Sequence, residues 1–318
     1  MERSPGGTMF YTFRLARRLA QSHLVALGLL LASCENSAAP TLNGDAPPAP
    51  ALAEASGGVS PMLLAGSNPN EPIGYLPFAE NDLSSLPNGL WQRGGLSGMW
   101  SWFPVGDPDL TIGAATTAGM VSAPSYMATR FPAGFKAGFA PVNFGGWQTK
   151  TTPKSKVYLS IWLRIRGSGY ENHPVGTKLG FMSYGDPVSA TQNQGFFMLE
   201  GTGTQAVASA FSLRFNQQNI VTRNLLPNIN ASKLLTAGPW HHIEAVFEVN
   251  VIGQRDGRFR MWIDNTQVAG YTDVVYITPL KPNKFNYWKW NPTWGGVGGV
   301  RTRTDYIDVD HIYMSGLP

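Results

Sequence analysis

The sequence predicts an all-β protein, an antiparallel sandwich of two sheets, and three observations carry that prediction. First, long stretches alternate apolar and polar residues with period two, the signature of a strand with one buried face. In VYLSIWLRIR (157–166), Val157, Leu159, Ile161, Leu163 and Ile165 point one way, and Tyr158, Ser160, Trp162, Arg164 and Arg166 the other. In HHIEAVFEVN (241–250), Ile243, Ala245, Phe247 and Val249 oppose His242, Glu244, Val246, Glu248 and Asn250. RFRMWID (258–264) buries Phe259, Met261 and Ile263 and shows Arg258, Arg260 and Trp262. Second, the last two stretches flank Asp256-Gly257, a dipeptide that tolerates the positive φ of a tight hairpin, so they are expected to pair antiparallel. Third, no internal repeat and no sustained helical period follows residue 34. Shorter strands are expected at 195–200, 211–216, 274–277 and 306–314. Many strands with no helices between them indicate sheet packed on sheet.

The remainder divides by composition. Arg14, Arg17 and Arg18 precede the apolar run LVALGLLLA (24–32), too short for a permanent span of about 20 residues. A basic start, a short apolar run and small residues at its end make a secretory signal over 1–33, with Met9 as an alternative start. LASC (31–34) resembles the bacterial lipobox, so Cys34, the single cysteine, is the expected lipidation site and membrane link. Glu35 after that cysteine points toward the outer membrane of a cell envelope. Residues 34–70, rich in Ala, Pro, Gly and Ser, carry too little apolar bulk for a core and read as a tether. Residues 71–318 then form one β domain. Setting aside Arg3, Arg14, Arg17, Arg18 and Glu2 leaves 20 basic against 19 acidic residues. That balance gives no basic face for a nucleic acid.

The polar faces bear on function. If they share one curved sheet, they line a groove with Tyr158, Trp162, Arg164, Arg214, His242, Glu244, Glu248, Arg260 and Trp262. The alternative is a plain solvated outer face. YWKWNPTWGG (287–296) reads as a Gly/Pro-rich loop whose rings stack on a ligand, or else pin the loop to the sandwich edge.

GPWHHIEAVFEVN followed by DGRFRMWIDNTQVAGYTDV resembles the hairpin of the concanavalin A-like lectin/glucanase superfamily. SAPSYMATRFPAGFKAGFAPVNFGG (122–146) is similar to an early strand and turn of its lyase-like bacterial members. WNPTWGGVGGVRTRTDYIDVDHIYMSG is similar to their closing loop and last strand. The resemblance covers about 75–318. It implies a jelly-roll sandwich whose concave sheet holds carbohydrate, with Trp288, Lys289, Trp290, Asn291 and Trp294 beside the groove. A fold that hosts many functions leaves the activity open.

Three activities suit such a groove. A glycosidase needs a close carboxylate pair; Glu244 and Glu248 sit roughly 13 Å apart along one strand, so hydrolysis is disfavoured. A lyase must neutralise a uronate carboxylate, abstract the C5 proton and protonate the leaving oxygen. Arg164, His242 and Tyr158 supply those types, with Arg214 and Arg260 as further cations. The alginate-lyase YFKAG.Y strand is imitated by YWKWNPTW, but Thr293 and Trp294 stand where its last tyrosine belongs, and the QIH signature is missing. A tethered carbohydrate-binding protein, recognising polysaccharide through Trp162, Arg214, Glu244, Arg260, Trp262 and the 287–296 segment, needs no catalysis and is the leading expectation, with a polysaccharide lyase as the alternative. No Cys/His spacing suits zinc, and no cofactor is expected. A structural calcium, common in the superfamily, would draw on Asp305, Asp308 and Asp310.

Overall fold

A computed structural model describes residues 68–81, 110–114, 125–141, 144–149, 151–186, 195–203, 206–218 and 220–318. The signal, Cys34 and all of the tether before residue 68 lie outside the described residues. The strands in chain order are β1 (Leu76–Asn81), β2 (Leu110–Ala114), β3 (Ser125–Phe131), β4 (Phe144–Gln148), β5 (Lys156–Ile165), β6 (Tyr170–Glu171), β7 (Thr177–Gly185), β8 (Gly195–Gly201) and β9 (Val207–Ala208). They continue with β10 (Ala210–Gln217), β11 (Arg223–Leu225), β12 (Leu235–Thr236), β13 (Trp240–Glu248), β14 (Gly257–Ile263), β15 (Thr266–Val274), β16 (Asn283–Trp294) and β17 (Asp305–Leu317). No helix occurs among the described residues.

The strands make an antiparallel jelly-roll sandwich. One sheet has eight strands in the order β15-β14-β13-β5-β17-β3-β2, with β1 also on β17. The facing sheet has seven, in the order β11-β10-β8-β7-β16-β4, with β12 also on β10. The period-two patterns are the cause. The apolar residues of β5, β13 and β14 interlock in register, Leu159 opposite Ala245 and Ala245 opposite Met261, and all three are buried. Phe197, Leu213, Phe215, Trp288 and Trp290 meet them from the seven-stranded sheet in one continuous core. Packing this dense makes a core truncation cost about 2–5 kcal/mol.

Turn chemistry differs in one place from the expectation. β13 and β14 do pair as a hairpin, but Gly257 already belongs to β14, and Gly253 supplies the positive φ (86°). The tight two-residue hairpin is the next one. Asp264 (φ 48°) and Asn265 (φ 63°) join β14 to β15 with the left-handed pair of a type I′ turn. Of the expected strand at 274–277 only Val274 lies in a strand, as the last residue of β15. The segment 287–296, read as a loop, is instead the greater part of β16.

Candidate functional site

The sandwich has two outer faces, and the residues singled out in the sequence divide between them. On the eight-stranded sheet lie Tyr158, Trp162, Arg164, His242, Glu244, Arg260 and Trp262. On the seven-stranded sheet lie Arg214, Lys289 and Asn291. The core separates the two groups, so the single groove expected from the sequence does not form.

The eight-stranded face is closed by its own hydrogen bonds. Glu244 is fully buried and accepts from Tyr158 Oη at 2.7 Å, from Asn70 Nδ2 at 2.7 Å and from the Asn70 backbone N–H at 3.1 Å. Ser160 Oγ is 2.7 Å from His242 Nε2, and the His242 ring stacks on Trp162 at 4.7 Å. Burial pushes the His242 imidazole below its ordinary value, against the pull of Glu244 and Asp264. Burial, reinforced by Glu244, pushes the Tyr158 hydroxyl far up. Arg164 holds Asp308 Oδ2 with two N–H groups, at 2.9 and 2.7 Å, and lies between the Tyr126 and Trp240 rings. Arg166 takes the other oxygen at 2.6 Å. Arg260 pairs with Glu248 at 3.1 Å and lies over Trp262. Residues 68–75 cover part of this face: Tyr75 packs with Tyr158, Val246 and Trp262, and Glu71 accepts from Tyr313 Oη at 2.9 Å. The three groups expected to do lyase chemistry, His242, Arg164 and Tyr158, are thus spent on a buried structural network.

Other expectations are corrected by strand parity. Trp288, Trp290 and Trp294 face the core, with exposures of 1%, 1% and 3% that leave no ring for a sugar. Trp290 Nε1 donates to Thr129 Oγ1 and Trp294 Nε1 to the Glu171 carbonyl. His241 is buried but bound: it accepts the Thr236 N–H at Nε2 and meets Asp264 at 2.8 Å through Nδ1. A bulge between Asp310 and Ile312 puts His311 at φ 34° and shifts parity; strict alternation along 306–314 would set His311 with Ile307 and Val309, but it stacks on Tyr313. Two of the three acids offered for calcium are bound by arginines, Asp308 by Arg164 and Arg166, Asp305 by Arg301 and Arg303, and the third, Asp310, is buried beside Trp162 on the neighbouring strand. Among the described residues no three His, Cys, Asp or Glu side chains converge on a metal position.

The seven-stranded face is built differently. Pairing places Lys289, Phe181, Phe196 and Asn216 in one row across β16, β7, β8 and β10. The next row is Thr293, Lys178, Met198 and Arg214. Phe181, Phe196 and Met198 make an apolar cluster of their own, with the two rings 5.4 Å apart. Lys289 Nζ sits 5.4 Å over the Phe181 ring and Lys178 Nζ 5.1 Å over the Phe196 ring, so two amines share one aromatic floor. Lys289 is 4% exposed, and burial lowers its amine to about 8. Tyr287, two residues back on the same side of β16 and so about 7 Å away along the strand, is buried and pushed up to about 12 by desolvation. Arg214 pairs with Glu200 at 2.6 Å. Among the described residues, Arg214 Nε and Asn216 Oδ1 are buried with no hydrogen-bond partner, an expensive state that a polar ligand would relieve.

Sequence reasoning reached Arg214, Lys289 and Asn291 but missed Lys178, Tyr287, Phe181 and Phe196. The bulge between Lys178 and Phe181 breaks the alternation in TKLGFMSYG, and that break hid β7. Tyr287 was readable: it alternates with Trp288 and shares parity with Lys289.

No family model matches the sequence, and no curated protein does. Solved structures match in fold. An alginate lyase, Aly36B, in a mutant complexed with an alginate trisaccharide, is 14% identical, covers 76% of this chain and 99% of its own, and gives a TM-score of 0.53. A second Aly36B structure gives 15%, 77%, 98% and 0.52. An endo-β-1,4-glucuronan lyase from the fungus Trichoderma reesei follows at 12% identity, 73% and 96% coverage and a TM-score of 0.46.

Proposed function

We propose that the protein is a polysaccharide lyase that cleaves a uronic-acid-containing glycan by β-elimination on the outer face of its seven-stranded sheet. The observation that carries the reading is Lys289, a buried amine lowered to about 8 beside a second lysine and a tyrosine. Fold similarity to Aly36B, an alginate lyase, supports it. A general base works best when its pKa lies near the working pH, and burial has brought Lys289 there from 10.5.

In this reading Lys178 pairs with the uronate carboxylate, which withdraws electron density and acidifies C5–H. Neutral Lys289 takes the C5 proton. The electron pair forms the C4–C5 double bond as the C4–O bond breaks, and Tyr287 Oη protonates the departing oxygen. Phe181 and Phe196, themselves buried, lie under the two amines and keep water from them. One product carries the double bond, so each pair of products is lighter than hydrolysis products by one water.

The export reading belongs with this proposal: residues 1–33 as signal, Cys34 as lipid anchor, 34–70 as tether, and 71–318 as the domain presented to glycan at the cell envelope. Palmitate labelling of the full chain, lost in Cys34→Ala, tests the anchor.

The activity test incubates the domain, residues 68–318, and its Lys289→Ala variant with alginate, a polyglucuronate and neutral polysaccharides, read by mass spectrometry. Unsaturated oligosaccharides from the wild type, reduced about 10²–10⁴-fold in the variant, are expected for loss of a general base. Hydrolysis products would overturn the lyase reading. A folded domain that is retained on one glycan without cutting it would leave a carbohydrate-binding protein.

A further inference from the structure

Beyond the amines, the same face ends in a place of different chemistry. Arg214 on β10 does not present a bare cation, because its Nη2 is 2.6 Å from Glu200 Oε1. Glu200, a third exposed, borders an open pocket of about 570 Å³ shared with Asn172, His173, Pro174 and Gly201. That volume is in the range of small-ligand sites. By strand spacing, Glu200 lies two strands across and four residues along from Lys289, roughly 16 Å away, which is a few sugar rings along a bound chain.

Glu200 is the sole charged side chain lining that pocket among the described residues. His173 supplies no cation: Nδ1 accepts the Val175 N–H, which leaves the ring proton on Nε2, where it is donated to the Gly298 carbonyl at 2.9 Å. Asn172 Oδ1 accepts the Gly201 N–H at 3.1 Å, so its amide nitrogen is the end left to donate. Gly176 lets the turn after Pro174 approach β8 closely; a Cβ there would meet Glu200 Cγ at 2.9 Å and the Leu199 carbonyl at 2.7 Å. The pocket thus offers a carboxylate to accept hydroxyl protons, an amide to donate, and the flat edge of Pro174. A uronate carboxylate entering it would meet Glu200 or have to separate Glu200 from Arg214.

We infer that this pocket is a subsite for a neutral, hydroxyl-rich sugar, so that the substrate is a mixed glycan in which a uronate at Lys289 is followed, a few residues along, by an uncharged sugar. This rests on the lyase reading above and narrows its substrate class. The identity of the pocket follows from its charge: the amine row selects an anion, and Glu200 refuses a second one.

The experiment compares kcat/KM for unsaturated-product release from a polyglucuronate and from a polysaccharide alternating glucuronate with a neutral hexose. The wild type is expected to prefer the mixed polymer. Glu200→Gln keeps the shape and removes the repulsion, and is expected to shrink that preference about tenfold, the size of one like-charge contact at a partly exposed site. Asn172→Asp retains the acceptor for Gly201 and adds an anion, and is expected to widen the preference; the opposed directions separate a charge effect from a loss of fold. Equal rates on both polymers, with ratios unmoved in both variants, would overturn the subsite while leaving the lyase reading intact. No unsaturated product from either polymer would overturn the lyase reading, and the subsite with it.

Discussion

Replacing Lys289 by Met tests the buried amine without reference to any substrate. Met keeps the length of the stem over Phe181 and removes the charge. The amine falls from 10.5 to about 8 through desolvation, and at 1.36 kcal/mol per pH unit this corresponds to about 3 kcal/mol spent to keep it charged in the fold. The sign follows from proton counting. Between pH 8 and 10.5 the unfolded chain holds the proton and the folded chain has lost it, so stability rises with pH across that window. Below pH 8 both states are protonated and the full cost is present. Lys289→Met is therefore expected to be more stable than wild type by on the order of 3 kcal/mol at pH 6.5, with the gap closing as pH approaches 10.5. Urea denaturation at pH 6.5, 8 and 10 reads this directly, since a change in midpoint at constant slope is a change in stability. A variant less stable than wild type at pH 6.5, or a gap that does not change with pH, would refute the claim that Lys289 is a strained, desolvated base. Costs of this kind cluster at functional sites.

The same amine predicts a pH–rate profile: kcat/KM should rise through about pH 8 as Lys289 loses its proton and then level, measured by product release in buffers of constant ionic strength. His242→Ala should leave lyase activity per folded molecule unchanged, because His242 is buried on the opposite sheet with Ser160 and Trp162; loss of activity in a folded variant would return the site to the eight-stranded face. Asn70→Ala should cost about 1–3 kcal/mol in urea denaturation, since it withdraws the side-chain donor from the buried Glu244. Arg301→Met should cost about 3–5 kcal/mol, because Arg301 is fully buried among the Phe131, Tyr170 and Trp294 rings and neutralises the buried Asp305.

Strands were legible wherever one face met the core without interruption. β5, β13 and β14 alternate cleanly for seven to ten residues, and the pairing of β13 with β14 followed from their adjacency in the chain, whereas β5 reaches β13 from a distant part of the sequence. The site was less legible for a geometric reason. Alternation says which residues share a face of one strand; it does not say to which of two sheets that strand belongs. Arg214, between Leu213 and Phe215, and Glu244, between Ile243 and Ala245, have the same local signature, a polar residue between inward apolar ones, yet β10 and β13 lie in opposite sheets. A second blind spot is the bulge. One extra residue reverses parity, which hid β7 at Lys178 to Phe181 and moved His311 to the outer side of β17.

β16 shows what composition concealed. Its tryptophans suggested a surface because three such rings in a Gly/Pro-bounded stretch exceed what an ordinary loop buries. In the fold they fill the middle of the core, and the stretch is a central strand between β7 and β4. That burial is also what equips the outer side. Rings this large on one side of β16 fix its register against β7, and the register puts Lys289 opposite Phe181. With the Phe181 ring beneath it, the buried amine is desolvated and its proton is loosened. The residues that looked like the ligand's contacts are therefore the ones that hold Lys289 in place.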